Sequence, residues 1–529
     1  MNIDARAIEV GTTIETDICI AGSGAAGITL ARRLASSTLD VCVLEAGGLN
    51  SGADSQELYI GDNIGQSYYP LDSCRLRFFG GTTNHWSGYC APLDPSDFEE
   101  REWVPYSGWP IKWTDIKKYY DQAREICQLE SFSLSHWQEI ISGFSPWPLR
   151  PSRLRTQVFQ QHPLRFGQVY RDDITQSNKV TLYTHANVTE IQTTDAVQSV
   201  KRIRIDTLEG NHFFVEAGKY ILACGGIENP RLLLLSDRNA SKGIGNDNDL
   251  VGRFFMEHPG TISASLIRSN NSSFFPYWEK HNNQNTTAGK SVSFRLNLSP
   301  KLQKDLRVLN ARINIGTASS LESAENLLDG LREDRLRFGE NLGNIVDDVW
   351  RLMADFEGFA SEANKTLLGE DASGRSRIIE MATWIEQSPN PESRVTLGNE
   401  RDALGLRRAQ LNWQLSELDF RTIYEINRVV AQELGRIGFG RTRIHRWLHN
   451  DKPEWPSGLR GGNHHMGTTR MSTYPEQGVC TPNCRVHGID NLYLSGSSVF
   501  PTVGHANPTL TIVALSLRLA DHLIKESKI

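Results

Sequence analysis

The sequence predicts an α/β protein, and three observations carry that expectation. The first is a β-type apolar run, Ile18-Cys-Ile-Ala21, that enters a glycine turn and then a segment with apolar residues at helical spacing. The second is a short apolar strand, Val41-Cys-Val-Leu44, which closes a βαβ unit. The third is a series of alternating segments over 180–184, 188–194, 200–207, 212–216 and 220–224, ending in the turn Gly225-Gly-Ile-Glu-Asn-Pro230 and a new helix. The sheet of the first unit therefore resumes in the middle of the chain.

Within that unit the glycines have separate tasks. Gly22 allows the tight turn, Gly24 lets backbone approach a pyrophosphate, and Gly27 lets helix pack on strand. The N–H groups opening the helix face the phosphates. Glu45 ends the next strand, about 20 residues on, where a carboxylate accepts from ribose hydroxyls. Strand, helix, strand and acid in register predict a dinucleotide site. The spacing alone leaves NAD and FAD both open, and the length and irregularity of the chain beyond residue 45 lean towards FAD.

The rest of the chain bounds the class. With 39% hydrophobic and 22% charged residues, the 529-residue chain is neither disordered nor fibrous. Lys and Arg number 56 against 62 Asp and Glu, a net charge of −6 that offers nucleic acid no general attraction. No apolar run reaches the roughly 20 residues of a membrane helix, and Met1 to Asp17 lacks the basic-then-apolar pattern of a secretory leader. The eight cysteines are scattered, which fits reduced thiols, and a cytoplasmic location is the expectation. Cys480 and Cys484 have no second pair at zinc-like spacing, so no metal is expected.

Other segments are built for a site. Arg75-Leu-Arg77-Phe-Phe-Gly80-Gly81-Thr-Thr-Asn84-His85-Trp86 can lay backbone and arginine donors along a phosphate or ring edge, although Arg75 and Arg77 also read as solvent-facing charges. A helix opens near Trp113 with Thr114 as its expected cap, and a long helical stretch is expected over 321–368. Near the C-terminus come Gly461-Gly-Asn-His464-His465-Met-Gly467-Thr and Ser495-Gly496-Ser, then His505-Ala-Asn507-Pro508 leading into a helix over 510–523. A neutral imidazole here accepts an alcohol proton and a nearby amide holds the oxygen. Singly, His465 and His258 read as structural residues, His505 equally as a pocket-lining or a loop histidine, and Asn507 as a helix cap.

Taken together, these pieces resemble the glucose–methanol–choline (GMC) oxidoreductases over nearly the whole chain. The likeness rests on the Gly22/Gly24/Gly27/Glu45 set, Gly80-Gly-Thr-Thr-Asn-His85-Trp, Ala223-Cys-Gly-Gly-Ile-Glu-Asn-Pro-Arg231, Gly252-Arg-Phe-Phe-Met-Glu-His258-Pro, Pro389-Asn-Pro-Glu-Ser-Arg394, and both C-terminal clusters. Those clusters resemble the pyranose-oxidase-like and bacterial sugar-dehydrogenase branch. The resemblance implies a Rossmann-like, discontinuous FAD-binding domain over 1–95, 180–260 and 455–529. An α+β substrate domain with an antiparallel sheet would cover 96–179 and 261–454.

It further implies oxidation of an alcohol, such as a sugar, glycoside or other polyol, to a carbonyl, with His464 as base and Asn507 on the substrate oxygen. Gly81, Asn84, His85, Val188, Ser495, Gly496 and Pro508 would join Gly22, Gly24, Gly27 and Glu45 at FAD. His85 falls where pyranose oxidases attach FAD covalently, but the lead into it differs, so linked and dissociable FAD stay open. Oxygen, a quinone or a protein stands as electron acceptor. The alternatives are a dehydrogenase of a non-sugar alcohol and a lyase of the same fold with structural FAD.

Overall fold

The computed structural model describes residues 1–130, 147–269, 284–285, 291–315, 378–450 and 453–528; the helical stretch expected over 321–368 lies outside them. Strand Thr13–Ala21 shows why a sheet forms. Its first half alternates, while Ile18, Cys19, Ile20 and Ala21 are all buried, as a strand covered on both faces requires. Val41–Leu44 is likewise buried throughout. Parallel pairing runs Asn2–Asp4, Val180–Thr184, Val41–Leu44, Thr13–Ala21, His212–Leu222, Leu492–Leu494. An antiparallel hairpin, Asn187–Thr193 with Val200–Asp206, occupies the outer edge of the first half of His212–Leu222.

Register brings the carboxyl ends of the central strands level. Ala21 pairs with Leu44 and with Leu222, and Leu222 pairs with Leu494. Helices Ala25–Leu34 and Gly225–Leu235 begin just past two of those ends. The C-terminal helix Thr509–Glu526 packs on Ala25–Leu34 and on Trp113–Ile126. The last of these corrects one expectation. Its N-cap residue is Lys112, not Thr114, and the Asp115 carboxylate one turn in accepts from the Lys112 N–H at 2.9 Å. Its stripe of Ile116, Tyr119, Tyr120 and Ala123 also joins the nucleotide-side core, with Tyr120 Oη 3.0 Å from Thr511 Oγ1. Packing therefore splits 96–179 between the two halves.

The second large sheet is antiparallel: Gly440–Ile444, Gly260–Arg268, Ile378–Ile385, Ala311–Ile315, Ser291–Leu298, Leu154–Gln161, Tyr89–Cys90. Helix Glu417–Arg436 covers one face with Phe420, Ile423, Ile426, Val429, Val430 and Leu434. The α/β expectation, a Rossmann-like sheet plus an antiparallel α+β half, describes this architecture. No described helix is long and apolar enough to cross a membrane.

The tightest contact in the nucleotide half is that of helix on turn. A Cβ added to Gly27 would lie 1.9 Å from the Gly22 carbonyl oxygen, so the helix can approach only as glycine. Gly27→Ala is expected to cost about 1–3 kcal/mol through overpacking, read as a lower urea midpoint at unchanged slope; an unshifted midpoint would contradict this packing.

Candidate active site

A cavity of about 460 Å³ opens at the level strand ends, where ligands of open α/β sheets bind. Gly22, Gly24, Glu45, Gly81, His85, Val188, Gly496, Pro508, His464 and Asn507 all line it. Three expected cofactor residues stand behind the wall. Gly27 abuts the Gly22 carbonyl, Asn84 donates Nδ2 to the Phe79 carbonyl at 2.9 Å, and Ser495 Oγ is 3.1 Å from Ser516 Oγ. They shape the loops whose neighbours face the cavity.

The lining fits a dinucleotide. Cβ atoms added to Gly24, Gly225 or Gly496 would meet nothing within 4 Å, so bare backbone borders open space at the start of two helices. Such helix starts favour anions. Glu45 is held by Ser23 Oγ at 2.5 Å and the Gly47 N–H at 2.8 Å, at the end of its strand.

Arg75 and Arg77 are not solvent-facing. Arg75 is buried, donating to Glu228 at 2.7 Å and lying 3.9 Å from the Tyr59 ring centre; Arg77 donates to Asn187 Oδ1 at 3.1 Å. Burial pushes the Glu228 carboxyl up, but Arg231, Arg75 and Arg77 outweigh it and hold it down at about 2. Arg231 also donates to Asp402 at 2.6 Å. Arg75 and Arg77 thus line the cavity together with the carboxylates of Glu228 and Glu45, and Arg231 with Asp402 stands outside the lining. These features suit FAD.

The polar end of the cavity is organised by the dipeptide Glu257-His258. Glu257 is fully buried and accepts from Tyr68 Oη, from the N–H groups of His258 and His464 at 2.8 Å, and from that of Gly462 at 2.9 Å. Burial pushes its carboxyl up to about 7 against those four donors. His258 Nε2 lies 2.9 Å from the Gly504 carbonyl, and its Nδ1 lies 2.9 Å from His464 Nδ1.

These contacts settle both tautomers. A carbonyl only accepts, so His258 carries its proton on Nε2. Burial, then the Arg312 charge, lowers His258 to about 3, so the ring is neutral and its Nδ1 accepts. His464 then donates from Nδ1, and its Nε2 keeps a free lone pair. Burial first, then His258, Arg312 and His465, hold His464 well below the ordinary imidazole value.

Asn507 is fixed by a residue that the sequence did not single out. Arg312 Nη2 lies 2.9 Å from Asn507 Oδ1, while Nη1 donates to the His505 carbonyl. Because guanidinium only donates, the amide oxygen is the atom engaged and Nδ2 is turned elsewhere. From sequence alone His258 reads as a structural turn residue; its only local signal is a Glu-His pair before a proline. Arg312 sits in Ala-Arg-Ile-Asn-Ile, an alternating strand in which an arginine looks solvent-facing. His465 lines the cavity between the Tyr68 and Phe255 rings, whereas His505 is buried behind it, 3.4 Å from Asp94.

Comparison with known proteins agrees with this geometry. Residues 17–241 match the family model for FAD dependent oxidoreductases, and residues 389–516 match the GMC oxidoreductase model. The 2-methyl-1,2-propanediol dehydrogenase of Mycolicibacterium austroafricanum is 23% identical, over 96% of this chain and 95% of its own. The fructose dehydrogenase large subunit of Gluconobacter japonicus is 24% identical, over 98% and 99%. A solved structure of formate oxidase shares the fold with a TM-score of 0.56, at 17% identity, covering 98% of this chain and 100% of that one. With the FAD dependent oxidoreductase model over the N-terminal part, the GMC oxidoreductase model over the C-terminal part and relatives aligned from end to end, the comparisons support the GMC oxidoreductases as the family of this chain.

Proposed function

We propose that this protein oxidises a hydroxyl of a sugar, glycoside or other polyol to a carbonyl, with His464 as base and Asn507 holding the reacting oxygen. The observation that carries the reading is a neutral imidazole with a free Nε2 lone pair and an amide with a free Nδ2 on the wall of one cavity. The names of the two relatives, dehydrogenases of a diol and of fructose, support a polyhydroxylated substrate.

Bound FAD supplies the acceptor for the hydrogen and electron pair that leave the carbinol carbon. The protein supplies the rest. His464 Nε2 takes the hydroxyl proton, and Asn507 Nδ2 orients the oxygen that becomes the carbonyl. His258 keeps the imidazole from rotating by accepting from its Nδ1. Glu257 fixes the backbone at Gly462 and His464, so the base cannot drift from the wall. Gly22, Gly24, Glu45, Gly81, Val188, Gly496 and Pro508 would border the cofactor, and His85 lines the same cavity.

The decisive experiment is an anaerobic stopped-flow panel of sugars, glycosides and simple alcohols against the yellow holoprotein, followed by oxygen, a quinone and a protein acceptor. Bleaching by polyols is expected. Turnover without bleaching would sink the reading in favour of a lyase. Acid precipitation separates the two cofactor states: colour in the pellet marks attachment through His85, colour in the supernatant dissociable FAD.

His464→Ala should keep FAD and slow flavin reduction by about 10²–10⁴; near-normal reduction would show the base to be another residue. The pH profile has a definite sign. The neutral imidazole is the active form, so kcat/KM is lost as pH falls through the His464 pKa. Because that value is held low, the His464 fall is expected below about 6.5, separate from any step near 7 owed to the Glu257 carboxyl; activity that falls only once, above 7, would contradict the burial argument.

A further inference from the structure

Arg312 is a buried cation with no carboxylate partner among the described residues. It stands on strand Ala311–Ile315, where Ala311, Ile313 and Ile315 enter the core under the long helix and Arg312 takes the opposite face, 7% exposed. There it spans Asn507 Oδ1 and the His505 carbonyl, with its charge 4.9 Å from the centre of the Phe159 ring. Its Nε meets no acceptor among the described residues.

The surrounding ionisable groups do not neutralise it. Asp94 is engaged by Arg155 and by His505 at 3.4 Å. Arg295, on the neighbouring strand Ser291–Leu298, is a second cation. His258, His464 and His505 are all held below the ordinary imidazole value. Burial, then Arg295, lowers Arg312 to about 9, so it remains protonated at neutral pH.

A desolvated charge without a counter-charge is costly, and it persists where negative charge appears next to it. Among the described residues, the hydrogen-bond partner through which Arg312 reaches the cavity is Asn507. A guanidinium on the amide oxygen fixes which end of the amide faces the substrate and polarises its N–H groups.

We propose that Arg312 is a positioning residue for the oxidation: it holds Asn507 with its N–H groups towards the reacting oxygen and lends that amide positive charge as the oxygen loses its proton. The inference rests on the roles assigned above to His464 and Asn507. The hydroxyl proton goes to His464 Nε2. The carbon's hydrogen leaves with its electron pair for FAD, and an oxygen lone pair forms the second C–O bond. Negative charge on oxygen peaks between those events, and there the Arg312–Asn507 pair acts. Arg312 itself is not part of the cavity wall, so it acts on negative oxygen in the cavity through Asn507 and not by direct contact.

The test compares wild-type holoprotein with Arg312→Met and Arg312→Lys, using the polyol that bleaches wild type fastest. Arg312→Met should slow flavin reduction about 10²–10³-fold, the loss typical of one oxyanion donor, with KM changing far less. Its acid limb in kcat/KM should move to higher pH, because a positive charge that disfavours the imidazolium is gone. Arg312→Lys keeps the charge, so its limb should stay while only part of the rate returns, since an ammonium cannot fork between two oxygens.

A substrate-free readout is the flavin difference spectrum on titration with acetate, an oxyanion probe. Arg312→Met should weaken acetate by about 10-fold or more, the worth of a charged hydrogen bond, and Arg312→Lys by less. Wild-type rate, limb and acetate affinity in Arg312→Met would overturn the inference. So would equal loss in both variants with unchanged limbs, which marks a purely structural role. If Arg312→Met loses FAD, Arg312→Lys decides: full wild-type rate there removes the fork. A wild type bleached by no polyol condemns the proposed function, while the acetate comparison still judges Arg312.

Discussion

The buried Glu257 carboxylate gathers a tyrosine hydroxyl and three backbone N–H groups from segments some two hundred residues apart, and the polar end of the cavity takes its shape from that convergence. Each donor would otherwise be a buried group without a partner, so the segments cannot separate one at a time without a penalty of about 1–3 kcal/mol each. The next residue, His258, fixes the orientation and the tautomer of His464. One dipeptide thereby sets backbone, ring angle and proton position together.

The nucleotide half supplies the complementary constraint. Level strand ends put two helix starts and several Cβ-free backbone segments on one border. The second sheet then presents Arg312 from the other side, so the residues that hold Asn507 come from both halves. The site is a property of how the halves dock, and neither half holds it alone.

How much the sequence made legible depends on distance along the chain. The βαβ unit with Gly22, Gly24, Gly27 and Glu45 is local, and its period and turn chemistry can be read directly. His464 and Asn507 stand in glycine-bracketed clusters whose composition marks a cavity wall. By contrast, the bond between His258 and His464 joins rings 206 positions apart, and that between Arg312 and Asn507 joins groups 195 positions apart. No period or spacing encodes such pairs. Asn84 and Ser495 show the opposite case: they sit in loops that border the cavity, and their side chains bond protein partners behind its wall. Helix Trp113–Ile126 shows the same limit, since its apolar stripe is visible in the sequence while the partner that covers it is the last helix of the chain.

The contact between His258 Nε2 and the Gly504 carbonyl also makes the imidazole pair a cul-de-sac for protons. On the proposed mechanism, a proton captured by His464 would have no inward path among the described residues, because moving it to His258 would place a cation beside Arg312 and end at an oxygen that cannot pass it on. It must leave as it came, through the cavity. On the proposed mechanism, clearing the site of product would therefore also be what resets the base for the next turnover.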